Sequence, residues 1–553
     1  VARLNLDCQE GEVGAAIIVQ HPSPQGDYYS LYGGLAPASL AGWRAGMAVG
    51  AGQQLARIGG FLENGSRPPH LHFQLLLDLV QRKGAIPGAA PVSQAEVWMA
   101  IAPDPNIVLG IDPRNLPPGR RKRSELLDLR KSLLGRNLSL AYEAPLKIVR
   151  GLRQYLIADD GRAYLDCVNN VSHVGHCHPY VTAAGQAQMM VLNTNTRYLH
   201  DGIVDYAQRL LATFPDPLRV CYFVCTGSEA NELALRMART ASENREVIAV
   251  EGAYHGNTQA LIDISPYKHK GPGGQGTPEG VHLAPMPCGY RGPHKGDGAE
   301  TGRAYAAEVG RLASDLKQRG RAPAAFICES MLGCGGQVIL PAAYLNAAFG
   351  HVRDAGGLCI ADEVQTGFGR AGSHFWAFET QRVVPDIVTL GKPMGNGHPL
   401  AAVITTPEIA DRFANGMEYF NTFGGNPVSC AIGQAVLDVL QEEALQENAL
   451  QVGTFLLDEL NKLKPRYPLV GQVRGQGLFI GIELVRDFQT LEPAANEAAY
   501  IVNRLKEFGI LLSTDGPWHN VLKIKPPLVF TTENARQICA ALEEILQDDC
   551  LAP

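Results

Sequence analysis

Residues 387–399, IVTLGKPMGNGHP, place one lysine directly after a short apolar run that contains β-branched residues. Such a run is typical of a buried strand, and Lys392 stands at its end between a glycine and a proline. Burying an unpaired ammonium group is costly, so this side chain either reaches solvent or is not a simple ammonium. The stretch therefore predicts a strand end that carries chemistry.

The composition indicates a globular protein with more than one domain. The chain has 553 residues, of which 46% are hydrophobic and 19% charged, which is too apolar for general disorder. The formal net charge of -7 and the lack of a long basic stripe argue against nucleic-acid binding. No apolar run approaches the ~20 residues that span a bilayer, and no signal segment is evident, so we expect a cytoplasmic protein that does not enter the membrane.

Residues 1–78 predict a small all-β module. Strand patterns separated by glycine and proline turns occur in GAAIIVQH, DYYSLYGGLA, GMAVGAGQQLARIGG and HLHFQLLL. The module resembles the lysostaphin-like zinc peptidases, whose last strands carry Tyr-x-His-Leu and His-x-His-Phe. The second motif is present as HLHF at residues 70–73, but the first is YGGL at residues 32–35 and lacks its histidine. Because a zinc site needs three or four ligands, we expect a degenerate module without metal, not an active peptidase.

A Pro-rich linker is predicted at residues 79–119, and it is followed by a different pattern. From residue 120 onward, helical patterns alternate with short apolar strands. This alternation predicts an α/β fold with a mostly parallel sheet and helices on both faces. The predicted strands are residues 220–225, 247–250, 325–328, 358–361 and 387–390.

Four predicted strand ends carry side chains that suit one cofactor, at the place where open α/β sheets bind ligands. In TGSEAN a strand runs into a helix, so the amides of Gly227 and Ser228 can receive a phosphate, although Ser228 could equally be only an N-cap. In ADEVQTG, Asp362 needs a cationic partner such as a protonated pyridine nitrogen. Tyr254 in YHG offers an aromatic face, and Lys392 can form a Schiff base. Together these features predict a pyridoxal phosphate site.

With these motifs in this order, residues from about 120 to 549 resemble the class III, fold-type I aminotransferases. The stretches that carry the resemblance are TGSEAN, YHG, ADEVQTGFGR, LGKPMGNGHP and NTFGGNP. The resemblance implies a large domain with a mostly parallel sheet at about 175–430. It also implies a smaller α+β domain formed from about 120–174 and 431–549.

The resemblance also implies the roles of individual residues. Lys392 binds the cofactor covalently and transfers the proton, Asp362 pairs with the pyridine nitrogen, and Tyr254 stacks on the ring. The other cofactor contacts are Gly227 and Ser228 at the phosphate, Val364 on the ring, Gln365 at the ring hydroxyl, and Thr422 at the phosphate of the neighbouring subunit's cofactor. A site shared in this way implies a homodimer.

The stretch NNVSHVGHCHP at residues 169–179 contains three histidines and Cys177, which together could suggest a metal site. The class III family has a similar loop at the mouth of its substrate site, and no second cluster of ligands with suitable spacing accompanies this one. We therefore expect no metal here. Cys221 and Cys225 lie in an apolar strand pattern, and we expect them to pack in the core.

Further stretches resemble a subgroup of this family, the vicinal amino-phosphate phospho-lyases. They are VNNVSHVGHCHP, LNTNTRYLHD, LIDISPYK, GMEYFNTFGGNPVSC, RGQGLFIGIELVRD and NVLKIKPP. The resemblance implies elimination of phosphate and ammonia from a substrate of the phosphoethanolamine or 5-phosphohydroxylysine type, which gives an aldehyde. The alternative that stays open is an ω-amine or amino-acid transaminase that uses a keto-acid acceptor.

A phosphate dianion needs several cationic or N–H donors. Arg197 in NTNTRYLHD and Lys268 in ISPYKH are the first candidates. Arg474 in VRGQG matches an arginine that binds the substrate carboxylate in related transaminases. Glu329 in CES matches a gating acid in those relatives, and we expect it to pair with Arg474 when no substrate is bound.

The N-terminal module raises the question of a partner. Family fusions place such a module beside a small-molecule kinase domain, which would make the substrate of the lyase. The sequence begins at Val1 in mid-pattern, so we expect a piece of a longer polypeptide with an upstream kinase domain as a candidate partner.

Overall fold

The computed structural model describes residues 1–5, 14–24, 26–60, 63, 70–79, 98, 100–110 and 121–551. By contacts the chain divides into two units, one of Val1–Leu134 with Ile157–Ala163 and one of Gly135–Leu156 with Tyr164–Pro553. The linker predicted at 79–119 lies largely outside the described residues, although a short helix forms within it at Asn106–Leu109. The boundary near residue 120 stays a prediction.

The N-terminal unit contains a four-stranded antiparallel sheet whose strands follow the order of the chain. The strands are Arg3–Asn5, Ala16–His21, Tyr28–Gly33 and His72–Leu76. Neighbouring residues of the second strand are buried in separate clusters, Ile18 with Leu31 and Ile17 with Leu35. Both faces of this strand are therefore covered. The helices of this unit are Pro37–Leu40, Asn106–Leu109 and Arg123–Leu133.

Two features of this unit bear on the sequence predictions. The strand predicted within residues 46–60 is wrong, because these residues form turns and only a single bridge, between Leu35 and Ile58. The HLHF and YGGL motifs lie on paired strands, with Phe73 opposite Tyr32 and their rings 5.3 Å apart. Among the described residues no group of three His, Cys, Asp or Glu is placed to hold a metal ion. The likeness to lysostaphin-like peptidases stays a prediction.

The second unit is built on a seven-stranded sheet that is mostly parallel, which confirms the predicted α/β fold. In spatial order its strands are Val281–Ala284, Glu246–Val250, Pro323–Glu329, Leu358–Asp362, Ile387–Leu390, Ala401–Thr405 and Val220–Val224. Within this sheet only Ala401–Thr405 runs antiparallel to its neighbours. Pro323–Glu329 and Ile387–Leu390 are buried along their whole length, which explains their continuous apolar sequence.

Helices cover both faces of this sheet. Val247 and Ala249 pack in a cluster with the helix Gly227–Ser242, whereas Ile248 and Val250 pack in another cluster with Ala299–Gln318. Side chains alternate between the two faces of the sheet, so this one strand contributes to the hydrophobic core on each face. The remaining helices of eight or more residues are Pro179–Val191, Asp201–Leu211, Tyr344–Asp354, Pro427–Glu442, Leu445–Asn461, Ala495–Glu507 and Thr532–Ile545. The shorter ones are Gln259–Asp263, Pro266–His269 and Pro407–Phe413.

Two smaller sheets complete the secondary structure. One has the order Val470–Gln476, Phe479–Asp487, Val521–Ile524 and Ser513–Asp515, with Glu492–Pro493 beside the second strand. The other has the order Ile510–Leu511, Ala163–Asp166, Tyr155–Ala158 and Ile148–Leu152. None of the helices in the described part of the chain has the length and apolar character needed to cross a membrane.

Candidate active site

The ends of the large-sheet strands surround a cavity of about 340 Å³. Asp362 ends one strand, and Lys392 follows the next strand after a single glycine. Eight of the residues predicted from the sequence line this cavity: Gly227, Ser228, Tyr254, Glu329, Asp362, Val364, Gln365 and Lys392. The structure therefore brings together side chains that are far apart in the sequence.

The helix that begins at Gly227 presents its N-terminus to the cavity. Thr226 is the N-cap, since its hydroxyl accepts from the amide of Glu229 at 3.1 Å, and the Glu229 carboxylate accepts from the amide of Thr226 at 2.9 Å. Ser228 is thus not the N-cap, and its hydroxyl accepts from the amide of Asn257 at 3.1 Å. The amides of Gly227 and Ser228 are the first two of the helix and have no acceptor within it. Together these two amides form a candidate anion-binding site.

Asp362 is held in one orientation by three donors. Its Oδ2 accepts from Asn231 Nδ2 and from His255 Nδ1, both at 2.8 Å, and its Oδ1 accepts from the amide of Val364 at 3.0 Å. The side chain is only 4% exposed, so a cation in the cavity would meet a fixed carboxylate. Sequence reasoning missed Asn231 and His255, although both lie in the motifs TGSEAN and YHG.

Glu329 lies beside Asp362 on the neighbouring strand, in register with it. Its carboxylate accepts from the amide of Tyr254 at 3.2 Å and from the amide of Gly333 at 3.0 Å. Burial raises the pKa of Glu329 to about 7. The ion pair predicted between Glu329 and Arg474 is not formed.

Arg474 is bound to other protein groups, outside the residues that line the cavity. Its Nη1 donates to Glu483 at 2.5 Å and to Gln472 at 2.7 Å, and its Nε donates to the carbonyl of Gly336 at 2.9 Å. Arg291 binds the same Glu483 carboxylate. Arg474 thus shares the Glu483 carboxylate with Arg291 and also donates to Gln472 and Gly336, so protein groups outside the cavity lining hold its guanidinium.

Lys525 is a site residue that sequence reasoning missed. Its ammonium donates to Gln365 Oε1 at 3.0 Å, and the same oxygen accepts from Asn170 Nδ2 at 3.2 Å. Lys525 lies 3.5 Å from Asp515, which Lys523 also contacts at 3.0 Å. Burial lowers the pKa of Lys525 to about 8. The signal in the sequence was the pair of lysines in NVLKIKPP, which at a spacing of two share one face of a strand.

Arg197 and Thr422 do not line the cavity within one chain. The side chain of Arg197 is 58% exposed, contacts Glu418 at 3.2 Å and stacks over the ring of Phe420 at 4.3 Å. Thr422 is exposed two residues further along the same segment. The two predicted residues thus lie near each other on the surface.

Lys268 also lies outside the cavity lining, but close to one of its walls. Its exposed ammonium is 5.8 Å from the centre of the Tyr254 ring and 5.4 Å from that of Tyr267. Among the described residues, no carboxylate lies within 4.0 Å of it. Lys268 is therefore a cation without an ion-pair partner next to a ring that lines the cavity.

The histidines of residues 169–179 each have a separate partner. His173 donates to the carbonyl of Phe368, His176 pairs with Asp166, and His178 pairs with Glu443. They are thus held apart as structural groups. One of the two cysteines expected in the core, Cys225, instead lines the cavity.

The residues present fit the cofactor predicted from the sequence. A Cβ added to Gly227 would lie 2.8 Å from Val364 Cγ1, and one added to Gly256 would lie 2.7 Å from Ser228 Oγ, so both positions require glycine for close packing. The cavity combines an anion-binding amide at Gly227, the fixed carboxylate of Asp362 and the amine of Lys392. These are the groups that a phosphorylated pyridine aldehyde needs.

Comparison with known proteins agrees with this chemistry. Residues 140–546 match the family described as Aminotransferase class-III. A Drosophila melanogaster protein named "Alanine--glyoxylate aminotransferase 2-like" is 50% identical over 77% of this chain and 87% of its own length. A Caenorhabditis elegans protein named "Ethanolamine-phosphate phospho-lyase homolog 1" is 42% identical over 77% of this chain and 94% of its own length. The structure of a phospholyase from Arthrobacter in complex with phosphoethanolamine is 39% identical, with a TM-score of 0.72 over 76% of this chain and 99% of that one.

Proposed function

This chain belongs to the class-III aminotransferase family, and we propose that its reaction is the elimination of phosphate and ammonia from a vicinal amino phosphate. The chain is an enzyme, and its cofactor is pyridoxal phosphate. When bound, this cofactor supplies an electron sink for the carbon that bears the amine. The substrate would be of the phosphoethanolamine or 5-phosphohydroxylysine type.

The observation that carries this proposal is the excess positive charge behind Gln365. Lys523 and Lys525 share the single carboxylate of Asp515, at 3.0 and 3.5 Å. Lys525 is only 4% exposed, and a buried ammonium without its own carboxylate is costly. A substrate whose phosphate dianion binds beside Gln365 would interact with the charge of Lys525 and remove that cost.

The hydrogen bonds of Arg474 also support the proposal, because they argue against the alternative of an α-amino-acid transaminase. A transaminase that acts on α-amino acids needs a cation for the α-carboxylate of its substrate. Arg474 was the sequence candidate for that task, and its guanidinium is bound to Glu483 and Gly336. The positive charges near the cavity are thus Lys525, which contacts the lining residue Gln365, and Lys268, near the ring of Tyr254.

We assign the roles at the cavity accordingly. Lys392 holds the cofactor covalently and removes the proton from the carbon that bears the amine. Asp362 keeps the ring nitrogen protonated, and Gly227 and Ser228 bind the cofactor phosphate. Gln365 has its oxygen occupied by Lys525, so it offers its amide N–H groups to an acceptor such as the ring hydroxyl oxygen.

We also propose that the active form is a homodimer with shared sites. Several large apolar side chains are highly exposed on two adjoining segments, 189–199 and 417–423: Met189, Met190, Val191, Tyr198, Leu199, Met417 and Phe423. The segments are in contact, since Arg197 stacks over Phe420. An exposed apolar patch of this kind indicates an interface. A second copy on this patch would meet Arg197 and Thr422 and could receive them at its own cavity.

The decisive assay leaves out every keto acid. We expect the cofactor-loaded enzyme to release phosphate and ammonia together from phosphoethanolamine or 5-phosphohydroxylysine, without pyruvate, glyoxylate or 2-oxoglutarate. A panel of amino phosphates, each assayed for free phosphate, would identify the substrate. Turnover that appears only when a keto acid is added would refute the proposal. It would favour the second candidate, a transaminase, which the name of the Drosophila melanogaster relative suggests.

We propose that residues 1–78 are a degenerate lysostaphin-like module, since Gly34 stands where the peptidase motif has a histidine. The cytoplasmic location and the upstream kinase domain stay predictions from the sequence. Binding of zinc by the purified protein with a stoichiometry of one would contradict the proposal for the module.

A further inference from the structure

The proposed elimination requires a proton at the leaving oxygen. A phosphate monoester is largely a dianion at neutral pH, because its second pKa is about 6. Breaking the C–O bond with both electrons on oxygen would release a phosphate trianion, which is a very poor leaving group. An acid in the cavity must therefore protonate the bridging oxygen as the bond breaks. The inference that follows rests on the proposed function.

Glu329 is placed as such an acid. It lines the same cavity as Lys392, and its side chain is only 2% exposed. Its carboxylate is oriented by the amides of Tyr254 and Gly333. Within the part of the chain that the structure describes, no Lys, Arg or His nitrogen lies within 4.0 Å of it. A buried carboxyl group without a cation favours its protonated form.

The other proton carriers at the cavity are less suited. Burial raises the pKa of Tyr254, so its hydroxyl is a weak acid at neutral pH. Lys392 serves as the base, and as an ammonium it would hold the proton taken from carbon. Asp362 is committed to the ring nitrogen. Of these four groups, Glu329 is the one left to supply a proton to the oxygen.

We propose that Glu329 is the general acid of the elimination. As Lys392 removes the proton from the carbon that bears the amine, the electrons of that C–H bond form the new C=C bond. The C–O bond on the next carbon breaks with its electrons on oxygen, and the Glu329 carboxyl proton moves to that oxygen. The products are hydrogen phosphate, an enamine and the Glu329 carboxylate, which regains a proton from water. Water then hydrolyses the enamine to the aldehyde and ammonia.

The surroundings of Glu329 support a proton held near neutral pH. Burial raises the pKa of Glu329 to about 7, His255 opposes this rise, and Asp362 adds to it. The thiols of Cys328 and Cys334 also interact electrostatically with it. A general acid works best with a pKa close to the working pH.

The test compares two leaving groups in the Glu329→Gln variant. Phosphoethanolamine needs a proton at its leaving oxygen, whereas ethanolamine O-sulfate does not, because sulfate is a weak base. We expect Glu329→Gln to lower phosphate release by about 10²–10⁴-fold, the range for general acid–base catalysis, and to lower sulfate release far less. The absorption spectrum of the lysine-bound cofactor should stay unchanged.

Glu363→Gln is the matched control. Glu363 is also buried with a pKa raised to about 7, but it accepts from the amides of Ala377 and Phe378 and lies outside the cavity lining. A loss of structure in this variant should lower both rates by the same factor. An equal loss of both rates in Glu329→Gln would overturn the proposal and leave Glu329 as a positioning residue.

A second measurement needs no variant. In the wild-type enzyme, phosphate release should fall as pH rises through about 7, as Glu329 loses its proton, while sulfate release does not fall there. A fall centred near 6 would instead follow the substrate's own second ionisation and would overturn the proposal. Failure of the wild-type enzyme to release phosphate from any amino phosphate would instead refute the proposed function itself.

Discussion

Replacing Lys525 with methionine tests whether its buried charge is kept for the substrate. Methionine retains much of the apolar stem and removes the ammonium that contacts Gln365 at 3.0 Å and lies 3.5 Å from Asp515. Because Lys523 also holds Asp515, the charge of Lys525 has no carboxylate of its own. We expect Lys525→Met to make the folded protein more stable and the enzyme less active.

The gain in stability can be worked out from the pKa. Burial lowers the pKa of Lys525 from 10.5 to about 8, which at 1.36 kcal/mol per pH unit is a penalty of about 3 kcal/mol for the charged form. Below pH 8 both the folded and the unfolded chain carry the proton, so the whole penalty applies at pH 7. Stability then rises as pH rises from 8 to 10.5. The pKa of about 8 already includes the attraction of Asp515, so only the loss of the Gln365 hydrogen bond offsets the gain, by about 1–2 kcal/mol, which leaves a net gain of about 1–2 kcal/mol.

The loss of activity follows from the substrate charge. A hydrogen bond or close contact to a charged group contributes about 1.5–3 kcal/mol, so we expect kcat/KM for phosphoethanolamine to fall about 10–100-fold. The assays are the midpoint of urea unfolding at pH 7 and at pH 10, and the rate of phosphate release.

Lys523→Met is the matched control for this prediction. It removes a cation two residues earlier that binds the same carboxylate, and Lys523 pairs directly with Asp515. We expect no gain in stability from it at pH 7. The reasoning is refuted if Lys525→Met is less stable than the wild type at pH 7, or if it keeps the full kcat/KM for an amino phosphate.

Three further predictions concern the cofactor and the dimer. Lys392→Ala should retain no cofactor after borohydride reduction, as measured by mass spectrometry, and should lose about 10²–10⁴-fold or more in rate. Gly227→Ala places a Cβ 2.8 Å from Val364 Cγ1, so an overpacking cost of about 1–3 kcal/mol should weaken cofactor binding in a fluorescence titration. Arg197→Ala should lower phosphate release about 10²-fold with an unchanged cofactor spectrum. If Arg197 serves the partner's cavity, mixing Arg197→Ala with Lys392→Ala subunits should restore activity in mixed dimers, and no recovery would place Arg197 in its own subunit's site.

The meeting of these residues at one cavity could be predicted because parallel strands end at one edge of a sheet. Asp362 and Lys392 follow neighbouring strands, and Glu329 ends the strand on the other side of Asp362. Residues in apolar runs followed by polar motifs were therefore placed correctly at one cavity, without knowledge of the strand order. The same reasoning predicted the mostly parallel sheet.

The hydrogen bonds and ion pairs between distant side chains could not be predicted. The spacing of residues in the sequence does not give the distances between their side chains in the fold. Lys525 contacts Gln365 across 160 positions of the sequence. Arg474 was predicted to pair with Glu329, and it pairs instead with Glu483, nine positions away on the adjacent strand.

The strand predicted within residues 46–60 failed for a different reason. Its apolar residues lie between glycines, as in a short strand with turns at its ends, but Gly46 and Gly52 have positive φ angles of 88° and 76° that turn the chain. Met47 and Ile58 are exposed, at 42% and 52%. A strand needs a neighbouring strand along its length, and this segment forms only the single bridge between Leu35 and Ile58.

The choice between elimination and transamination depends on charge, since the cofactor permits both. A site built for an α-carboxylate would leave an arginine available at the cavity and would pair a gating acid with it. In this chain Arg474 is bound to Glu483 and Gln472, no Lys, Arg or His nitrogen of the described residues lies within 4.0 Å of Glu329, and Lys523 and Lys525 share the carboxylate of Asp515. A leaving phosphate needs a proton on its oxygen and a positive charge near it, whereas transamination expels no anion. The pairing of Arg474 with Glu483 thus frees Glu329 to hold a proton, and this is the physical reason to expect elimination.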